Sequence, residues 1–215
     1  MPRQVDHADR RRRIADAVCE LADERGLEGV TLRDVAARAE VSMGAVQRCF
    51  RTKEEMLVFA LAHIGERIGA RVRARLVRSP AQSAGTALGH AATEVALLRE
   101  EHRAEARVWL AFVAQAAVSE VLARTVQANY AALQESFARL IEEACADTAG
   151  ACADTGGATR AGADTGGAAP LDPRREARAL LALADGLTTH VLIGHLTPRE
   201  AGDVLHTHLA RLLSQ

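Results

Sequence analysis

Apolar positions recur along this chain at intervals of three and four residues, the spacing of helices that each bury one stripe. Ile14, Ala17, Val18, Leu21 and Ala22 make the first stripe, closed by Gly26 with Leu27 beside it. Val35, Ala36 and Ala39 give a shorter edge, and Val46 and Phe50, four apart, another. From Glu54 to about Val77 a long helix buries Met56, Leu57, Ala60, Leu61, Ile64, Ile68 and Val72. Its end is basic, and Pro80 breaks it. Helices are expected next near 81–100, 104–117 and 119–145. The middle one is dominated by Val108, Trp109, Leu110, Phe112 and Val113. After Pro170 and Pro173, ARALLALADGLTTHVLIG is apolar almost all round and needs cover on both sides. The last helix carries Val204, Leu205, Leu209 and Leu212 behind a Thr197–Glu200 capping box.

The stretch from Thr31 to Lys53 departs from this pattern of buried stripes. Thr31, with Asp34 three residues on, starts one short helix; Glu40 and Val41 turn the chain; Ser42 caps a second, Met43 to about Phe50. With Val46 and Phe50 turned inward, Met43, Gly44, Gln47 and Arg48 project from the other side. Gly44 costs about 1 kcal/mol in a helix relative to Ala, yet lets the backbone approach another surface. Gln47 and Arg48 carry donors suited to phosphates and base edges. Lys53, the chain's only lysine, stands in the first turn of the next helix. A cation there opposes the helix dipole, which suggests an external anion. The plainer reading is a helical hairpin with ordinary surface charges.

The segment from Arg10 to Leu61 resembles the DNA-binding domain of the TetR family of transcriptional regulators, through IADAVCELADERG, GVTLRDVAARAEVS and GAVQRCFRTKEEML. Two positions depart from the family pattern. Glu40 occupies a turn position that is usually glycine, and Gln47 and Cys49 replace a frequent aromatic pair. More loosely, RVWLAFVAQA and the ALADGL and LTPREA elements resemble the BetI-like C-terminal domain. The resemblance implies a repressor that binds a palindromic operator in double-stranded DNA as a homodimer, and a small apolar or amphipathic effector that releases it. A ligand-independent or activating regulator is the alternative.

Composition agrees with helices. Hydrophobic residues are 48% but aromatics only 3%, so the core must be built from Ala, Leu and Val. The net charge of −1 hides a front half, residues 1–78, with 16 basic and 12 acidic residues, and an acidic remainder. Four cysteines lack CxxC spacing, and no apolar run reaches membrane-spanning length, so a cytoplasmic protein with reduced thiols is expected. His206 and His208, two apart on a helix, point away from each other and cannot share a metal ion. No catalytic constellation stands out; no enzyme, metal or cofactor is expected. ACADTAG, ACADTGG and AGADTGG are copies of one seven-residue unit poor in large apolar residues, and 146–172 reads as a flexible loop grown by duplication.

The resulting expectation is an all-α chain of about nine helices. Residues 1–56 form a helix-turn-helix head, and 57–215 a helical effector-binding and dimerisation domain. Met43, Gly44, Ala45, Gln47 and Arg48 face the groove. Thr31, Arg33, Ser42 and Lys53 lie on the phosphate side, with Arg3 on an N-terminal arm that either tracks DNA or is a solvated helix start. Trp109, Phe112, Gln115, Asn129 and Tyr130 are the candidate effector pocket, although the three polar members read more readily as satisfied core or surface groups. Leu187, Val191, Leu205 and Leu209 form the expected dimer interface, as two stripes meeting their copies in a four-helix bundle.

Overall fold

The computed structural model describes residues 2–78, 83–154 and 171–214, with side chains over 7–78, 83–147 and 171–214. Within them nine α-helices follow in order: α1 (Pro2–Arg25), α2 (Leu32–Arg38), α3 (Met43–Cys49), α4 (Lys53–Arg78), α5 (Ala84–Val95), α6 (Arg103–Ala116), α7 (Glu120–Asp154), α8 (Pro173–Leu192) and α9 (Pro198–Leu213). A 3-10 turn at Glu100–His102 leads into α6. There is no strand among the described residues, and the all-α expectation holds.

Short polar side chains set the helix starts. Thr31 accepts from the Asp34 N–H at 3.2 Å, Ser42 from the Ala45 N–H at 3.2 Å, and Thr52 from the Glu55 N–H at 3.0 Å. Thr197 and Glu200 complete a reciprocal capping box on α9, and Asp172 caps α8 ahead of Pro173. Gly26, at φ 73°, closes α1. Glu40 occupies the equivalent place after α2 at φ 54°, the left-handed region that a Cβ makes costly. Its N–H reaches the Ala37 carbonyl and the Val41 N–H the Ala36 carbonyl, so the Schellman closure forms without glycine.

Two apolar cores are built on these helices. The first joins Ile14, Val18, Leu21, Val35, Val46 and Phe50 of the head to Met56, Leu61, Ile64 and Ile68 of α4 and to Val108, Trp109 and Phe112 of α6. The second packs α5, α7, α8 and α9 around Leu88, Phe137, Ile141, Leu180 and Leu205. The boundary expected at residue 56 therefore falls inside a continuous core, because α4 leaves the head and runs on into the body.

Three expectations change. Leu187, Val191, Leu205 and Leu209 are 6%, 8%, 0% and 5% exposed and belong to the second core, not to a surface. The apolar sides of α8 and α9 close against α5, α7 and each other within one chain. The expected loop is helical at its start, since α7 continues through Asp154; an Ala-rich repeat is a good helix former. The rest of that loop, 155–170, lies outside the described residues. Lastly, α1 begins at Pro2, so the expected arm is the helix's first turns; the Arg3 side chain lies outside the described residues.

Candidate functional site

The head presents α3 outward because Val46, Cys49 and Phe50 are held in the core on its other side. Thr31, Arg33, Ser42, Met43, Gln47 and Arg48 are exposed, and Gly44 is half-buried between them. Ala45, expected to face outward, is 7% exposed: it lies on the inner side of α3, one residue before Val46. Lys53 is half-buried, and its Nζ donates a long bond of 3.4 Å to the Glu28 carbonyl, at the edge of the same surface.

Arginine is abundant in the head, and most of it is already engaged. Arg11 stacks over Phe50 and Phe59 at 4.7 and 4.4 Å from the ring centres. Arg13 donates to the Ala39 carbonyl at 2.8 Å and so braces the end of α2. Arg38 binds Glu20 at 3.1 Å and Glu24 at 2.8 Å, and that bond holds the Glu24 carboxyl below its ordinary value. Arg33 and Arg48, by contrast, make no ion pair with any described residue and stand on the α2–α3 surface. The basic run Arg10–Arg13 therefore supplies scaffold contacts at two of its positions, which no count of charge could reveal.

Behind the head, salt bridges tie α1 to the body. Arg107 of α6 grips both oxygens of Asp23, at 2.5 and 3.0 Å. Asp16 meets His63 at 2.8 Å and Arg67 at 3.6 Å, and Arg67 reaches Glu105 at 3.4 Å. Arg71 joins Glu105 to the buried Glu94. Beside this network, burial pushes the Cys19 thiol up to about 12, so it is not a reactive thiolate.

The body contains a cavity of about 450 Å³ between α4, α5, α6, α7 and α8. Trp109, Asn129 and Tyr130 line it, with Ile68, Val72 and Leu133 among its apolar wall residues. Two expected members are elsewhere. Phe112 is fully buried in the first core, and Gln115 lines a separate hollow of about 300 Å³ beside Lys53, Glu28 and Ser119. Asp185, which periodicity did not single out, stands in the cavity wall. Trp109 Nε1–H donates to it at 3.3 Å and the Tyr130 hydroxyl donates to its other oxygen. Burial raises the Asp185 carboxyl and the Tyr130 hydroxyl above their ordinary values. A signal for Asp185 did exist: it is the one charged side chain between Arg178 and Arg199, in the most apolar run of the chain.

Comparison with known proteins agrees with both halves. Residues 14–58 match the model for bacterial regulatory proteins of the tetR family, and residues 84–214 that of the BetI-type transcriptional repressor C-terminal domain. The HTH-type transcriptional regulator PksA of Bacillus subtilis is 36% identical over 118 residues, 54% of this chain and 56% of that protein. The chain thus aligns with little more than half the length of that relative. A transcriptional regulator from Rhodococcus sp. Rha1 superposes with a TM-score of 0.75 at 28% identity, covering 95% of this chain and 96% of that one. A regulator from Saccharomonospora viridis, solved in complex with choline, shares the fold at 22% identity and a TM-score of 0.73, covering 94% and 96%.

Proposed function

The chain belongs to the TetR family of bacterial transcriptional regulators, and on that premise we propose that it is a repressor whose dimer lays two copies of α3 in successive major grooves of a roughly palindromic operator. One observation carries the reading: Met43, Gln47 and Arg48 project from a helix whose other side is buried, with Arg33 and Arg48 making no ion pair with any described residue. Gly44 lets the α3 backbone approach a groove wall; Gln47 and Arg48 reach base edges and phosphates. Thr31, Arg33, Ser42 and Lys53 contact the flanking phosphates.

The dimer forms through the outward sides of α8 and α9. Ala182, Gly186 and His190 on α8, Ile193 just past its end and Val204 on α9 are exposed, and Ile193 and Val204 are 71% and 44% accessible. Small residues on α8 allow two copies to approach closely, which suits a four-helix bundle about a two-fold axis. A cytoplasmic protein suits a DNA partner; among the described residues no helix is long and apolar enough to cross a membrane.

Release follows from where the cavity lies. Its wall includes Gly65, Ile68, Gly69 and Val72 of α4, the helix that opens at Lys53 in the head. Trp109 sits on α6, two residues from the Arg107–Asp23 bridge to α1. An effector that favours one setting of α4 and α6 biases the spacing of the heads, and operator binding must respond reciprocally. The test is footprinting of the protein on DNA flanking its own gene, followed by anisotropy titrations of the protected site. Two protected half-sites about one or two helical turns apart, lost with Arg48→Ala, are expected. Binding that ignores sequence and survives that substitution refutes the reading.

A further inference from the structure

Asp185 is a carboxylate in the body that has hydrogen-bond donors but no counter-charge among the described residues. Its carboxylate is mostly buried in an apolar cavity and makes no ion pair with any described residue. Trp109 and Tyr130 donate to it and meet each other edge to face, with centroids 5.8 Å apart and planes at 75°. The result is an aromatic corner with an anion at its apex. The other charges on the cavity wall, Glu66 and Arg73, pair with each other at 2.7 Å and are exposed, so they supply no counter-charge inside.

A second polar point lies on the same wall. The Asn129 amide nitrogen is buried and has no hydrogen-bond partner among the described residues. It stands against Gly65 of α4, where an added Cβ would lie 3.0 Å from it. Unpartnered buried donors are uncommon and call for a ligand or water to complete them. The rest of the lining, including Ile68, Val72, Leu133, Phe137 and Leu140, is apolar.

We infer that this cavity binds an amphiphilic organic amine in its protonated form, with the N–H-bearing ammonium against Asp185 in the Trp109–Tyr130 corner and an apolar body along α4 and α7. An ionised carboxylate has about four acceptor sites, and two donors leave room for an ammonium N–H. A carboxylate or phosphate ligand would meet an uncompensated negative charge, and a neutral chain would leave Asp185 without a counter-charge. Burial raises the Asp185 carboxyl, and an ammonium beside it would favour the ionised form. A volume of about 450 Å³ suits a small amphiphile. An oxygen acceptor on the ligand would also satisfy Asn129. This inference rests on the cavity being the effector site.

Trp109 is the only tryptophan of the chain, so its fluorescence reports this corner alone. The full-length protein, without DNA, is titrated at neutral pH with octylammonium, octyltrimethylammonium, 1-octanol and octanoate. Octylammonium should bind at least tenfold more tightly than 1-octanol and octyltrimethylammonium, with octanoate weakest. Asp185→Asn should bring octylammonium to within about threefold of 1-octanol while 1-octanol binding is kept. The four-probe comparison on the unaltered protein stands even if that variant does not fold. Octanoate or octyltrimethylammonium binding as tightly as octylammonium overturns the proposal, as does the absence of saturable quenching by octylammonium. Operator binding is measured separately. A protein that binds DNA without preferring the amine loses this site and keeps its regulatory role; one that prefers the amine with DNA binding unaffected keeps the site and loses effector control.

Discussion

Glu40 allows a prediction worked from one backbone angle. With φ at 54° it is a side-chain-bearing residue in the C′ position that closes α2, immediately before the turn into α3. An L-residue in this region costs about 1–2 kcal/mol, and glycine avoids that cost while giving up roughly 0.5–1 kcal/mol of chain entropy on folding. Glu40 also places a negative charge at the C-terminus of α2, unfavourable by about 0.3–1 kcal/mol. The side chain is exposed, so its loss leaves no cavity. Glu40→Gly keeps both closing hydrogen bonds, from Glu40 N–H to Ala37 and from Val41 N–H to Ala36, and should stabilise the protein by about 1 kcal/mol. Glu40→Ala removes the charge but keeps a Cβ, so it isolates the dipole contribution. Thermal unfolding of all three at one protein concentration measures this, with about 2–4 °C expected per kcal/mol for a chain of this size. If Glu40→Gly proved no more stable than Glu40→Ala, the backbone strain attributed to the turn would be wrong.

The other predictions concern the interfaces and the cavity. Gly186→Glu and Val204→Arg should give monomers that fold normally in size-exclusion chromatography with light scattering, since a Cβ at Gly186 meets nothing within 4 Å in the single chain. Leu187→Glu should instead cost several kcal/mol of folding stability in denaturant titration, because it buries a lone charge in the second core. Lys53→Ala should weaken binding to all DNA sequences alike and lower the salt slope by about one unit per half-site, whereas Gln47→Ala should change the preferred bases in a binding-site selection. For Asp185, whose folded-state carboxyl is raised by burial from 3.8, the associated stability is present below the unfolded value and lost as pH rises through the raised one. Asp185→Asn should remove that decline from a melting-temperature profile taken upward from acid pH.

The helix-turn-helix head was legible in the sequence because its determinants are local. Caps at Thr31, Ser42 and Thr52 act on backbone groups two or three residues away, and the 3.6-residue period shows which side of α3 is buried. Glu40 was marked by the family resemblance, whose pattern has glycine there; the residues alone showed only a turn at Glu40 and Val41. Periodicity shows that a stripe is buried but not what covers it. Leu187, Val191, Leu205 and Leu209 thus read as a dimer seam until packing of α8 and α9 against α5 and α7 claimed them. The smaller residues on the far side of α8, which carry less apolar signal, were left facing out. Arg11 and Arg13 belong to a basic run whose sequence names no partner; Phe50, Phe59 and the Ala39 carbonyl lie more than twenty residues away and only folding brings them near. Asp185 depended on tertiary structure most of all. Its meaning as a buried anion requires Trp109 from α6 and Tyr130 from α7 to converge on α8, and those helices meet only through long-range packing that no local pattern encodes.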